Sequence, residues 1–441
     1  MATPADRLLL DEQTMLDLDL FDSERSVFNY LNRCATLGGE AALQRRMRAP
    51  AADADAILAT QSALTFVNDH RPAFAALPSG YLVMTVDKYL RDSVPVISTT
   101  NRVEFMLEAS SLRAGDDRFY SRITRGLEVA ARLFAALQVF LAALNDTATA
   151  GELGPMLDEL RELSDQFNAV PEDAAESKYW QRLKVDQLLR VTARAELNRL
   201  IELLYEIDAL AALAEVCRDY GLLLPEVNDG AAKVSAEGLT HPFVTDAVAN
   251  PVTLGEERLL LITGPNMAGK TTYLRALALA LYLAHLGMGV NATRFEFAPM
   301  THLFTAISQA DDLHDGISYF RAEALRVAAV AGAVAQGGRV VAILDEPFKG
   351  TNVKDAFDAS NRVLSLLATK PDCLFVVTSH LIELAEPLGR LPEVAFGYFA
   401  ADEQQSRLDF DYRLREGVSS QRLGMRVLEE EGIFELLDHE S

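Results

Sequence analysis

The stretch LLLITGPNMAGKTTYLRALALALYLA, from Leu259 to Ala284, constrains the fold more than any other. A short apolar run enters a glycine-bounded turn, and the turn enters a helix rich in alanine and leucine. Gly264 to Thr271 spell G-x-x-x-x-G-K-[ST], the turn whose backbone N–H groups and helix N-terminus cradle phosphates. Gly264 and Gly269 allow the tight turn and the close backbone approach. Lys270 is expected to reach the β- and γ-phosphates of a nucleotide, and the Thr271 hydroxyl to bind Mg²⁺. A strand–turn–helix of this kind requires a parallel sheet around it.

Two later stretches extend the site. VVAILDE, Val340 to Glu346, is an apolar strand ending in two carboxylates. In phosphoryl transfer the first, Asp345, supports Mg²⁺ and the second, Glu346, polarises the attacking water. FVVTSH ends another apolar strand in His380, placed to sense a γ-phosphate. Phosphate turn, acidic strand end and strand-end histidine, in that order, belong to ATPases that sandwich ATP between two copies. In these a serine at a helix N-terminus of one copy caps the γ-phosphate held by the other. Ser318, in DDLHDGISYFRAEALR, stands where that serine is needed, and a plain helix N-cap uses the same geometry.

The rest of the chain differs in texture. Between Tyr179 and Gly221 leucines recur at spacings of three, four and seven with no proline, which predicts one helix of roughly 40 residues, about 60 Å long. Residues 117–145 are its expected partner, and the glycines and prolines of 146–180 suggest a hairpin tip. After Gly221 apolar strands alternate with helices, as in a mostly parallel α/β sheet.

A net charge of −23, from 64 acidic against 41 basic residues, argues against a protein coated in nucleic acid. It leaves room for a local basic strip. Arg118, Arg122, Arg125 and Arg132 share one helix face on the first arm, and Lys178, Arg182, Arg190 and Arg194 enrich the second. They are candidate contacts to a nucleic-acid backbone, with a solvated or ion-paired face as the alternative. Three scattered cysteines predict neither a disulfide framework nor zinc, and suit a reducing cytoplasm. No run long enough to span a membrane and no secretory leader is expected.

ITGPNMAGKTTYLR, DDLHDGISYF, LDEPFKGT and TSH resemble, in order, the ATPase motifs of the MutS family, the DNA mismatch-repair ATPases. The resemblance extends to Thr14–Pro50, with its T-x-x-G-x-x-x-L pattern, to THPFV at Thr240, and to the stretch Arg415–Ile433. It implies an α + α/β chain: a helical core over 1–100, helical lever arms over 101–222 with a short tip near 146–180, and a P-loop, ABC-type ATPase domain over 223–441. That last domain would end in a dimerisation segment. It implies ATP and Mg²⁺ as cofactors and a homodimer. Gly264, Pro265, Asn266, Met267, Ala268, Gly269, Lys270, Thr271 and Thr272 would hold ATP, and Thr271 and Asp345 the metal. Glu346, Lys270 and His380 would be catalytic, while Ser318 and Asp355 would act across the dimer.

The departures are informative. No Phe-x-Glu tripeptide occurs, so the mismatch wedge of the family is not expected, and 146–180 is too short for the family's clamp. Pro347-Phe348-Lys349 occupies a loop where the family has small or basic residues. The expected function is an ATP-gated, DNA-binding dimer in DNA repair or recombination, contacting DNA through its backbone. The alternative is an ATP-switched scaffold for a protein partner that touches no nucleic acid. A transporter ATPase is disfavoured because no LSGGQ-like signature is present.

Overall fold

Leu259–Thr263, Val340–Asp345 and Leu374–Thr378 are apolar runs buried at nearly every position, the signature of strands covered on both faces of a parallel sheet. The computed structural model of the chain describes residues 7–93, 95–113, 117–144, 150–168, 170–171, 173–307, 319–404 and 407–419. It divides into two units: Met1–Tyr30 with Ala49–Leu58 and Gly221–Ser441, and Leu31–Arg48 with Ala59–Tyr220. This differs from the three consecutive segments expected. Parts of the expected helical core join the sheet unit, and its remainder folds with the arms. The physical reason is hydrogen bonding: Leu9 donates to Thr301 at 2.8 Å, and Ala51 donates to His285 at 3.0 Å.

The first unit holds β1 (Leu9–Leu10), α1 (Glu12–Asp17), α2 (Val27–Leu31), β2 (Glu226–Val227), β3 (Val234–Leu239), β4 (Asn250–Leu254) and β5 (Leu259–Thr263). It continues through β6 (Arg294–Phe297), β7 (His302–Ala306), β8 (Val340–Asp345), β9 (Leu374–Thr378), β10 (Val394–Phe399), the hairpin β11 (Asp402–Gln404) and β12 (Arg407–Asp409), and β13 (Leu414–Glu416). Among the described residues the main sheet runs β1-β7-β8-β9-β5-β10-β13, parallel except for β13. A second sheet runs β2-β6-β3-β4. Leu259, Leu261, Ala342, Leu344, Phe375 and Val377 form the centre of the core. Because β8, β9 and β5 are adjacent, the turns at their carboxyl ends open side by side, the position at which open α/β sheets bind ligands.

The second unit is helical, with α3 (Leu37–Met47), most of α4 (Ala54–Asp69), α5 (Arg71–Phe74), α6 (Gly80–Arg91), α7 (Arg102–Arg113), α8 (Asp117–Ala142), α9 (Leu153–Gln166), α10 (Tyr179–Gln187) and α11 (Arg194–Asp219). Its geometry explains the T-x-x-G pattern. Thr36 caps α3 by accepting from Gly39 N at 2.8 Å, and Asp208 on α11 accepts from Thr36 N at 3.0 Å and Thr36 Oγ1 at 2.6 Å. A Cβ on Gly39 would lie 2.2 Å from the Asp208 carboxylate, so a larger residue there would displace the group that accepts from Thr36.

Two expectations about the arms are corrected. The 40-residue helix is interrupted, because Leu188–Thr192 form a π-helical turn and Ala193 leaves helical geometry at φ −111. The turn brings Arg190 inward beside Asp186, whose carboxylate also accepts from Tyr89, and Arg190 donates to Asp92 O at 2.9 Å. The region 146–180 is not merely a tip. Its helix α9 buries Leu153, Leu157, Leu160 and Leu163, and Glu159 takes a two-pronged hydrogen bond from Arg199 on α11 at 2.7 and 2.8 Å.

Candidate nucleotide site

The turn after β5 is shaped by backbone that other residues resist. Gly264 has φ 140, and a Cβ there would lie 2.6 Å from Phe399 O. Gly269 has φ 102 and stands immediately before α12 (Lys270–His285), whose first N–H groups therefore face the turn. Met267, also at positive φ, is exposed.

Lys270 is only 4% exposed. Its Nζ donates to Gly264 O at 2.6 Å and lies 3.4 Å from Glu346 Oε1. Burial lowers its pKa, and the neighbouring Glu346 and Asp345 oppose that shift without cancelling it. Thr271 Oγ1 donates to Asp345 Oδ2 at 2.8 Å. Thr378 Oγ1 donates to the other Asp345 oxygen and accepts from Glu346 N at 3.0 Å. His380 Nε2 donates to Glu346 Oε1 at 2.6 Å. Burial raises the Glu346 pKa, but the His380 bond and the charges of His380, Lys270 and Lys349 outweigh it, leaving the carboxyl below its ordinary value. Glu346 itself sits at φ 51, a strained turn that carries its carboxylate across to His380 and Lys270.

A cleft of about 420 Å³ opens from this cluster and is lined by Lys270, Thr271, Glu346, His241, Asn250 and Tyr412 among others. Three of these the sequence did not single out. Asn250 Nδ2 donates to Tyr412 O at 2.9 Å and its Oδ1 accepts from Leu414 N at 2.7 Å, which pins Tyr412 beside Gly269. His241 accepts from Phe243 N at 3.2 Å, and burial followed by the charge of Arg275 pushes its pKa down to about 4, so it is neutral near pH 7. THPFV marked the segment of His241, and only the fold says that it faces the turn. The donor set suits a hard cation. The Thr271 hydroxyl and the Asp345 carboxylate are both oxygen ligands, few enough to leave places for water and phosphate oxygens, as Mg²⁺ prefers.

Other expected residues stand apart. Ser318 and residues 420–433 of the dimerisation segment lie outside the described residues. Asp355 is exposed in the first turn of α14 (Val353–Ala368), its N–H bound by the cap Asn352 at 3.0 Å. Phe348 is buried and packs toward Phe320, 6.1 Å between ring centroids, so the unusual loop residue serves the core.

The basic strips are reduced. Arg190 is 5% exposed, which removes it as a backbone contact. Arg182 donates to Ser177 O at 2.7 Å and to Thr124 Oγ1 at 3.1 Å, and lies over the Tyr120 ring. Arg122 pairs with Asp92, and Arg132 pairs with Glu128 at 2.6 Å. Arg125 is engaged by Tyr81, Lys178 and Arg194 are exposed, and the side chain of Arg118 lies outside the described residues. No described helix is long and apolar enough to cross a membrane.

Residues 260–437 match the family model of MutS domain V. The chain is 31% identical over 283 residues to the DNA mismatch repair protein MutS of Natronomonas pharaonis, a match covering 63% of this chain and 32% of that protein. It thus spans about a third of the length of the curated relative it matches. The family match runs from the strand that enters the phosphate turn past the strand that ends in Glu416, enclosing Lys270, Thr271, Asp345, Glu346 and His380, and over these residues the chain is similar to MutS domain V.

Proposed function

We propose that the protein is a Mg²⁺-dependent ATPase that hydrolyses ATP as a dimer and uses the cycle to change the disposition of its helices on DNA. One observation carries the reading: Thr271, Asp345 and Thr378 share one hydrogen-bonded chain while Lys270, Glu346 and His380 share a second, side by side at the carboxyl ends of β5, β8 and β9.

When ATP enters, the Lys270 ammonium exchanges the carbonyl of Gly264 for phosphate oxygens. Glu346 is ionised and held by His380, so it can orient a water in line with the γ-phosphorus and accept its hydrogen bond. Thr271 and Asp345 would hold Mg²⁺, which supplies charge neutralisation for the phosphates. His241 and Tyr412 would border the base. Ser318 and Asp355 would complete the site from the second copy, which supports two ATP sites per dimer.

A second reading, an ATP-switched scaffold for a protein partner, is favoured by the burial of Arg190 and by the hydrogen bonds that hold Arg182 to Ser177 and Thr124. The ATPase rate with duplex, branched and single-stranded DNA over a salt series separates the two. Stimulation that fades with salt is the expected result. A rate and an affinity indifferent to every DNA form at low salt would sink the DNA reading and leave the scaffold.

A further inference from the structure

The loop that follows Glu346 is held at both ends. At its start Thr378 on β9 accepts from Glu346 N at 3.0 Å. At its far end the holder is Glu323 on α13 (Tyr319–Ala335), a residue with no part in the proposed chemistry. Glu323 is 1% exposed, and its Oε2 accepts from Gly350 N at 3.2 Å. The N–H groups of Lys349 and Phe348 act on the same carboxylate in the same sense, as does the Lys349 charge. Phe348 also packs toward Phe320, which lies three residues before Glu323 and so on the same face of α13.

A carboxylate is a costly choice for this place. Burial pushes the Glu323 pKa up, and the three N–H groups and Lys349 oppose that shift without cancelling it. Its second oxygen, Oε1, meets no partner of good geometry among the described residues. A leucine would fill the same space without that desolvation cost. What the carboxylate adds is an acceptor for successive backbone N–H groups. Around a residue of positive φ, here Phe348 at 69, such groups form a concave anion site, and the anion in it is a side chain of the protein itself.

The loop needs holding because its conformation is unfavourable. Glu346 lies at φ 51 and Phe348 at φ 69, both left-handed and neither a glycine. Glu346 also precedes Pro347, whose ring drives the residue before it toward extended backbone. Strain of this kind persists only where the surroundings over-determine it. Thr378 fixes the N–H of Glu346 alone. Released at Gly350, the loop would let Glu346 relax toward extended backbone. Its carboxylate would then leave His380 and Lys270, which it now meets at 2.6 and 3.4 Å.

We propose that Glu323 is a positioning residue of the ATP site: by holding the N–H groups of Phe348, Lys349 and Gly350 it keeps Glu346 in the left-handed turn from which Glu346 orients the attacking water. The proposal rests on the role of Glu346 given above. It makes turnover depend on a carboxylate outside the lining of the cleft, and leaves ATP affinity independent of it.

The test compares Glu323→Leu and Glu323→Gln on the full chain, each alone and together with Glu346→Gln. It reads kcat from steady-state hydrolysis and Kd from a fluorescent ATP analogue. Glu323→Leu removes the acceptor at similar size. It is expected to lower kcat about tenfold with Kd within about twofold, and to cost nothing further in the Glu346→Gln background. Glu323→Gln keeps an acceptor for Gly350 and should recover most of the rate. Wild-type kcat in Glu323→Leu beside a slow Glu346→Gln overturns the positioning role alone. So does a Glu323→Gln as slow as Glu323→Leu, a Kd that weakens in step with kcat, or losses that multiply in the double variant. Wild-type kcat in Glu346→Gln overturns the reading of Glu346 itself. Should Glu323→Leu fail to fold, Gly350→Pro removes the donor instead, with the same split expected and an unchanged kcat decisive against the proposal.

Discussion

The cleft at the ends of β5, β8 and β9 and the buried cluster around Asp186 are built from the same kinds of side chain and put them to opposite use. At the cleft Lys270 and His380 both meet Glu346, beside an open space into which the proposed reaction would bring a phosphate and a water. Around Asp186 the partners Tyr89 and Arg190 are closed in, with Asp186 and Arg190 1% and 5% exposed. Burial pushes the Asp186 pKa up against the opposing pull of Tyr89 and Arg190, whereas the net shift of Glu346 is downward. Polar groups that border a cavity remain available for chemistry, and polar groups that border only one another hold helices in register.

The largest effect expected from this contrast is kinetic. Glu346→Gln keeps the size of the side chain and removes its capacity to orient and accept from water. Turnover should fall by a factor on the order of 100 or more, with ATP bound as tightly as before and unfolding unchanged. Hydrolysis at the wild-type rate would remove Glu346 from the mechanism.

Asp186→Ala should do the reverse. It leaves the Arg190 guanidinium buried without its carboxylate, which costs about 3–5 kcal/mol. Trp180, the chain's single tryptophan, lies in α10 and reports unfolding of that unit by fluorescence. A urea midpoint within error of wild type would mean that the cluster is not structural, and the contrast between the two regions would fail.

The cleft was legible because phosphate chemistry dictates spacing. A lysine and a threonine must follow the turn directly, and two carboxylates must end a strand, so Lys270, Thr271, Asp345 and Glu346 can be chosen from the chain alone. Thr378 and Asn250 were not legible. Their roles are to hold Asp345 and Tyr412, partners distant in sequence, and a lone polar residue in a strand carries no mark of its partner. The arms misled for a related reason. Leucine periodicity predicts helix without distinguishing α-helix from a π-turn, and it counted Arg190 as surface because Tyr89 and Asp92, which take it inward, lie far upstream. Glu323 went unmarked for the same cause, since the loop that donates to it follows β8.

One residue tests whether the contrast follows the two units or the local surroundings. His285 ends the same helix that Lys270 begins, yet it is fully buried, donating from Nδ1 to Leu281 O at 2.7 Å and accepting at Nε2 from Met300 N at 2.9 Å. Burial pushes its pKa down to about 4 from 6.5, against the pull of its backbone hydrogen bonds. The unfolded chain takes up a proton near pH 6.5 that the folded chain refuses until about pH 4, so the unfolded state binds more protons in that window and stability rises with pH across it. His285 therefore contributes its full share above pH 6.5 and loses it on acidification, about 3 kcal/mol by pH 4. His285→Gln, which keeps a donor and an acceptor, should flatten the fall of the urea midpoint between pH 7 and pH 5, monitored by circular dichroism, without changing kcat at pH 7. A midpoint falling as steeply in the variant would assign the acid sensitivity to other groups, His241 among them. A lowered kcat would mean that the far end of α12 communicates with the turn, and that polarity in this unit serves the site even where no cavity borders it.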